Sequence, residues 1–122
     1  MITTTPQNPN YRRGDIVLVL FPNSNLRTAK TRPALVVQRD DLNSGVAQVV
    51  VCMITSKGFR SNHSSRVMVV LNSPEGRETG LLPDSIVMTD NLATIALSEI
   101  DRAIGRMPMS GVDAALRHTL GL

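Results

Sequence analysis

Long apolar runs separated by short polar segments dominate the first two thirds of the chain. The run from Ile16 to Phe21 lies between Gly14 and Pro22-Asn23, and a run that is apolar at every position predicts a strand buried on both faces. Four more strands are expected after this one, for about five in all. The last apolar stretch predicts either one long strand or a pair of strands interrupted near Asp90-Asn91. The later strands are predicted over 32–38, 46–54, 66–71 and 85–97.

The C-terminal segment has the period of a helix. Ser110 is placed to cap its first turn with Asp113 at the third helical position, and Gly121 marks its end. The segment 98–101 has the capping pattern of a single helical turn. One face of the last helix is apolar, which is expected to close one end of a small barrel. The apolar residues on that face are Val112, Leu116 and Leu120.

This order of elements predicts a mainly β fold. Five or so short strands with little helix are typical of a small, partly open barrel, whose edges must be covered by the helix or by a second copy of the chain. The 122 residues suit one domain, assigned to 11–122, and the stretch 1–10 is expected to be a flexible tail. No run approaches the ~20 apolar residues of a membrane span, so a soluble, intracellular protein is expected.

Composition narrows the choice of partner. The chain has 13 Lys and Arg residues against 10 Asp and Glu, a basic balance that favours an anionic partner such as nucleic acid. Tyr11, Phe21 and Phe59 are its only aromatic residues, too few for a platform on which bases stack. Cys52 is the single cysteine, which excludes an internal disulfide and a zinc site built on cysteines. No spaced set of metal ligands is visible, and no metal or cofactor is expected.

Three polar residues stand at predicted strand ends, where a curved small sheet could bring them together. Arg32 precedes Pro33, which is tolerated at the first residue of a strand, and a guanidinium held there suits a phosphate or a transferring phosphoryl group. Thr55 directly follows the third predicted strand, and Asp90 lies at the interruption of the last one. The residues alone leave ordinary alternatives open: a surface arginine, a hydroxyl bonded to its local backbone, and a turn or bulge aspartate.

Two polar segments between strands, 22–31 and 56–65, are long enough to be functional loops. Their cations are candidate anion contacts, although each is equally explained as a solvated surface charge. His63, in the second segment, is either a general acid or a solvated loop residue. The candidate cations are Arg27, Lys30, Lys57 and Arg60.

Several short blocks, taken in order, resemble toxins of the MazF/PemK type over residues 11–122. The blocks are 13–19, 30–37, 53–56, 80–85, 89–95, 103–107 and the closing helix. The resemblance implies an SH3-like barrel of the Kid/CcdB toxin type with a C-terminal helix, assembled as a homodimer in the cytoplasm. It also implies cleavage of single-stranded RNA without a metal ion, to 2′,3′-cyclic phosphate and 5′-hydroxyl ends, and inhibition by a cognate antitoxin.

On this resemblance, Arg32 occupies the family's catalytic arginine position and Thr55 its catalytic threonine position. Asp90 occupies an acidic position implicated in catalysis or in RNA binding. Arg32 would stabilise charge that builds on the phosphoryl oxygens, and Thr55 would donate a hydrogen bond to them. The general base is unassigned, because a guanidinium is a poor base. The residues expected to bind RNA are Arg27, Lys30, Thr31, Ser56, Lys57 and Arg60.

The chain also departs from the family's pattern. Its first loop, 23–28, lacks the acidic or histidine group of the best-known members, and Met88 stands where one branch uses an arginine. Two alternatives to a ribonuclease therefore stay open, since a fold does not fix a function. One is a non-catalytic toxin that inhibits a protein target, as gyrase poisons of this fold do. The other is a degenerate member that binds RNA or an antitoxin without cleaving.

Overall fold

The structure, a computed structural model, describes residues 11–22, 27, 29–58 and 62–122. Six antiparallel strands form one sheet in the order β4-β5-β3-β2-β1-β6. The predicted tail, 1–10, lies outside the described residues. The elements are β1 (Asp15–Pro22), β2 (Ala29–Val36), β3 (Gln48–Thr55), β4 (Arg66–Val69), α1 (Pro74–Arg77), β5 (Ser85–Ala96), a 3₁₀ turn (Leu97–Glu99), β6 (Ile100–Arg106) and α2 (Ser110–Leu120).

The predicted fold class is confirmed: the chain is mainly β, with a short helical turn before β6 and a helix at the C-terminus. The sequence pattern does not predict β6 or α1. In β6 only Ile100 is buried and the next three residues are exposed, so the strand has no apolar run. The four residues of α1 are held by Ser73, whose Oγ accepts a hydrogen bond from the Gly76 N–H at 3.0 Å.

The two faces of the sheet bury two separate apolar clusters. On the first face, which we call the inner face, residues such as Val17, Val36 and Val51 pack against one another across the curled sheet. Residues of alternate parity form the second face, which we call the helix face, and there Val112 of α2 joins the cluster. Because both faces are buried, the central strands need continuous apolar runs, as the sequence pattern predicts.

Cys52 belongs to the helix face and is fully buried on β3. Burial raises the pKa of its thiol to about 12. The sequence-based view of Cys52 as a buried residue of a strand is confirmed.

The sheet is open, because β4 and β6 form its two edges. The segment that follows α1 covers the edge of β6: the Arg106 N–H donates to the Glu78 carbonyl at 2.9 Å. The approach is close, since a Cβ added to Gly105 would lie 2.2 Å from the backbone of Thr79. Gly80, with φ +73°, passes the Ile104 carbonyl in the same way. Backbone contacts at glycine thus protect one edge.

The predicted cap of α2 is wrong. Met109 occupies the N-cap position without a side-chain hydrogen bond, and Ser110 is already helical. Asp113 instead forms an ion pair with Arg13, next to the start of β1. The predicted end of the helix is confirmed, since Gly121 adopts φ 72° directly after it. Asp113 thus pairs with Arg13, which is distant in the sequence, and does not take part in a local cap with Ser110.

The apolar face of α2 is only partly buried. Val112 is completely covered, Leu116 is half-buried, and Leu120 is 53% exposed. The helix packs against β4 and β5, so it covers the helix face of the sheet rather than the end of a closed barrel.

Candidate active site at the end of the inner face

Arg32 lies inside β2 and not at its first residue, because the strand begins at Ala29. The predicted strand start at Arg32-Pro33 is therefore wrong by three residues. Pro33 is tolerated because β3 pairs with β2 only from Ala34 onward, which leaves the earlier part of β2 with an unpaired edge among the described residues. Arg32 is directly opposite Val19, so it extends the inner face into solvent.

Thr55 is the last residue of β3 and stands opposite Ile86. It is half-buried and shares the inner face with Met53, two residues earlier. Its Oγ1 accepts a hydrogen bond from the Lys57 N–H at 3.2 Å, the local backbone contact that the plain alternative expects. Because this contact uses only an acceptor position, the hydroxyl proton of Thr55 remains available to a ligand.

Two adjoining grooves meet at Arg32 and Thr55. The strand groove, about 360 Å³, runs toward β5, and the loop groove, about 380 Å³, runs toward the segment after β3. Lys57 also lines both grooves. The strand groove is completed by Met53, Ile54, Met88, Asn91 and Ala93. The loop groove is completed by Lys30, Thr31, Pro33, Ile54, Ser56, Leu81, Pro83 and Ser85.

Both grooves carry uncompensated positive charge. Arg32 and Lys57 line both grooves and Lys30 lines the loop groove, whereas none of the lining residues in the described part of the chain is an aspartate or glutamate. Arg32 is exposed, and no described carboxylate forms an ion pair with it. An exposed guanidinium beside a hydroxyl donor, without an ion-paired carboxylate among the described residues, is suited to bind a phosphate group.

Asp90 is not among the residues that line either groove. Its carboxylate faces Arg66 at the start of β4, with the Arg66 Nη2 2.8 Å from Oδ2 and the Nε 3.4 Å from Oδ1. The structure thus brings Arg32 and Thr55 together and directs Asp90 to a neighbouring strand. The sequence did not single out Asn91 as a groove residue, and its only signal was its place at the interruption of the β5 pattern.

The residues expected to bind RNA fall into three groups. Four of them line the loop groove and are exposed: Lys30, Thr31, Ser56 and Lys57. Arg27 is exposed and lines neither groove. Arg60 lies outside the described residues.

The two histidines lie away from the grooves. His63 contacts Ser65, with Nδ1 2.7 Å from the hydroxyl and accepting the Ser65 N–H at 3.1 Å. Its ring also meets His118 of α2 edge to face, with centroids 5.9 Å apart. In the described ranges no group of three or more His, Cys, Asp or Glu side chains is placed to hold a metal ion. No helix among those residues is long and apolar enough to cross a membrane.

Solved structures of toxins have the same fold. A mycobacterial endoribonuclease in complex with its cognate antitoxin superposes with a TM-score of 0.69 at 23% identity, covering 92% of this chain and 96% of that one. A MazE-MazF structure from Deinococcus radiodurans gives a TM-score of 0.67 at 18% identity, with coverage of 92% and 96%. At these identities the likeness concerns the fold.

Sequence relatives are closer. Endoribonuclease MazF2 from Mycobacterium bovis and endoribonuclease MazF6 from Mycobacterium tuberculosis are each 32% identical over 107 residues, which are 84% of this chain and 90% of theirs. A family model described as PemK-like, MazF-like toxin of type II toxin-antitoxin system matches residues 12–120. The resemblance stated from the sequence blocks is therefore confirmed, and the chain belongs to the PemK-like, MazF-like toxins of type II toxin-antitoxin systems.

Proposed function

We propose that this toxin is an endoribonuclease that cleaves single-stranded RNA and thereby stops translation and growth. The observation that carries the proposal is the pairing of Arg32 with Thr55 at the meeting point of two cationic grooves. The relatives named endoribonucleases support a ribonuclease over a gyrase-type toxin. A toxin that acts by binding a protein would not need a guanidinium and a hydroxyl donor in the same groove.

The chemistry follows from the charge that develops during cleavage. The ribose 2′-oxygen loses its proton and forms a bond to the adjacent phosphorus, while the bond from phosphorus to the 5′-oxygen breaks. The departing 5′-oxygen takes up a proton. The products are a 2′,3′-cyclic phosphate and a 5′-hydroxyl. Negative charge builds on the phosphoryl oxygens. Arg32 stabilises this charge, and the Thr55 hydroxyl donates a hydrogen bond to the same oxygens. The two side chains can balance this charge without a metal ion.

Proton removal is assigned to no groove residue. A guanidinium is a poor base, and the described residues that line the two grooves include no carboxylate or imidazole. Asp90 would have to leave Arg66 in order to accept the 2′-proton, because the pair now occupies its carboxylate. The catalytic role of Asp90 stays a prediction.

The RNA path is proposed to follow the loop groove. Lys30 and Lys57 supply charge to the backbone on either side of the cleaved phosphate, while Thr31 and Ser56 offer hydroxyls. Arg27 and Arg60 are proposed to extend this contact beyond the groove. No aromatic side chain lines either groove among the described residues, so charge rather than base stacking holds the strand, and binding should weaken as salt increases.

The partners are proposed from the family and its solved members. The toxin acts in the cytoplasm as a homodimer and is neutralised by a cognate antitoxin. The solved complex of a mycobacterial endoribonuclease with its cognate antitoxin and the MazE-MazF structure from Deinococcus radiodurans support such a partner. An acidic antitoxin segment would match the positive charge of the grooves and exclude RNA from them.

Purified protein incubated with a long single-stranded RNA in excess EDTA tests the proposal. Wild-type protein should produce fragments with 2′,3′-cyclic phosphate and 5′-hydroxyl ends, and Arg32→Ala should lose most of this activity. Arg39→Ala is the matched control, because Arg39 is exposed, pairs with Asp41 and lines neither groove. Intact RNA with the wild type would overturn the function, whereas equal cleavage by Arg32→Ala would overturn the site.

A further inference from the structure

β5 carries a bulge next to the strand groove. Cys52 of β3 stands opposite Leu92, yet the next residue, Met53, stands opposite Met88. Three β5 residues, 89–91, therefore lie between two consecutive pairs of the ladder. Bulges beside active sites often redirect a side chain, so the direction of each of these residues is informative.

Two of the three bulge residues are anchored away from the groove. Thr89 is fully buried, its N–H and its hydroxyl both donate to the Ser65 carbonyl at 3.0 and 2.6 Å, and its Oγ1 lies 2.7 Å from the hydroxyl of Thr119. Asp90 is held by Arg66 of β4. These contacts tie the bulge to β4 and α2 and leave Asn91 as the residue that lines the strand groove.

The amide of Asn91 is exposed and makes no hydrogen bond with any residue that the structure describes. A side-chain amide presents a donor and an acceptor side by side, the pattern that pairs with the edge of an unstacked base. The other polar residues of the strand groove are suited to different work: Arg32 and Lys57 carry charge for phosphates, and Thr55 is the proposed phosphoryl donor. Asn91 is the remaining side chain that could distinguish one base from another.

We propose that Asn91 is a specificity-determining residue of this toxin, which reads the edge of a nucleobase beside the cleaved phosphate. Asp90, through its ion pair with Arg66, is the positioning residue that keeps the bulge in the form that presents Asn91. The apolar surface of Met53, Met88 and Ala93 in the same groove gives the base a wall to lie against. This inference rests on the proposed ribonuclease function.

Cleavage of a random-sequence RNA pool, followed by sequencing of the new ends, tests the proposal. Asn91→Ala should lower discrimination at one nucleotide position by on the order of 10-fold, the effect expected for the loss of one paired base contact. Asn91→Asp offers acceptors only, so it should shift that position toward guanine, whose pairing edge carries two donors. Asn72→Ala is the matched control, because Asn72 is exposed and lines neither groove.

The outcomes separate the two proposals. Cleavage by the wild type and by Asn91→Ala at the same motif with the same discrimination would overturn the inference alone. A pool left uncut by the wild type would overturn the ribonuclease function and the inference with it. A change in the cleavage motif of Asn72→Ala as large as the change in Asn91→Ala would also overturn the assignment, because it would show that the effect does not come from the groove.

Asp90→Asn separates a positioning role from a catalytic one. Loss of the ion pair should broaden the RNA sequence motif at which the protein cleaves, as Asn91→Ala does, and leave the shape of the pH–rate profile unchanged. Asp90→Glu keeps the charge, so it should recover the wild-type cleavage motif. A uniform fall in rate at every site, with an unchanged motif and a lost limb of the pH–rate profile, would instead identify Asp90 as the general base and overturn its positioning role.

Discussion

Arginines lie beside β1 in two places, at its start and along its second half, and their surroundings differ. At the first end, the buried carboxylate of Asp15 accepts hydrogen bonds from Arg106 Nη1 and from the Arg12 N–H, both at 2.7 Å. Arg13 pairs there with Asp113. Along the second half of β1, Arg32 of β2, opposite Val19, is exposed and has no described carboxylate partner. We call these the paired end and the groove end.

The difference shows how the function of an arginine depends on its partner. At the paired end the charges cancel locally, and the cations join the start of β1 to β6 and α2. At the groove end the charge is uncancelled and available to an anion. An arginine-rich composition alone therefore cannot identify a binding site, because the same residue type forms structural ion pairs at one end and is the proposed ligand contact at the other.

The largest expected effect comes from comparing Arg32→Ala with Arg106→Ala. Arg32→Ala should reduce the cleavage rate by on the order of 10² to 10³, the cost of losing one preorganised donor to transition-state charge, and should leave the melting temperature unchanged. Arg106→Ala should show the opposite pattern. Cleavage rates and melting temperatures of both variants are measured. If both variants lost the same property, activity or stability, the distinction between the two ends would be wrong.

Replacement of Thr55 tests whether the groove end needs the hydroxyl itself. Thr55→Ala should lower the rate by about 10², because the phosphoryl group loses a hydrogen-bond donor. Thr55→Ser keeps the hydroxyl and should retain most of the activity. Single-turnover cleavage rates distinguish the two, and equal losses in both variants would assign Thr55 a packing role instead.

At the paired end the expected effect is on stability. Asp15→Ala should cost about 1–2 kcal/mol, since the Arg12 N–H loses its acceptor and Arg106, which is largely exposed, returns to water. Denaturant unfolding measures the loss, and the cleavage rate of the folded protein should not change. Asp41→Ala, which removes a fully exposed ion pair, should leave the unfolding midpoint where it is.

The smallest effect expected is on the salt dependence of RNA binding. Lys57 lines both grooves, so Lys57→Ala should reduce the slope of log affinity against log salt by roughly 0.7, the value for one phosphate contact on a single strand. Binding titrations with RNA that carries a 2′-deoxy nucleotide at the cleavage site avoid turnover. Arg102→Ala, whose guanidinium pairs with Asp101, should keep the wild-type slope.

The parts of the fold that could be predicted are those specified locally. A strand buried on both faces, such as β1 or β3, needs an apolar run that is visible in the sequence. β6 could not be predicted in this way, because after Ile100 its next residues are exposed and contain no run. The mainly β class and the C-terminal helix followed from patterns of this local kind.

The site was predicted in part, for a related reason. Arg32 and Thr55 could be predicted as neighbours because each adjoins an apolar run, and the antiparallel pairing of β2 with β3 brings those two runs side by side. The partners of Asp90 and Asp113 could not be found, since Arg66 and Arg13 lie 24 and 100 residues away. The role proposed for Asn91 depends on a shift in strand register, which is a property of the assembled sheet rather than of any segment.

Cys52 gives this toxin a built-in reporter of motion. It stands opposite Leu92, and this pair is next to the bulge. Its thiol, with a pKa raised to about 12, is protonated and unreactive at neutral pH while it stays buried. It is also the only thiol in the chain. The rate at which a thiol reagent labels the protein therefore measures how often the helix face around Cys52 opens beside the bulge. A ligand that fills the groove should slow that labelling, so occupancy can be followed without measuring cleavage.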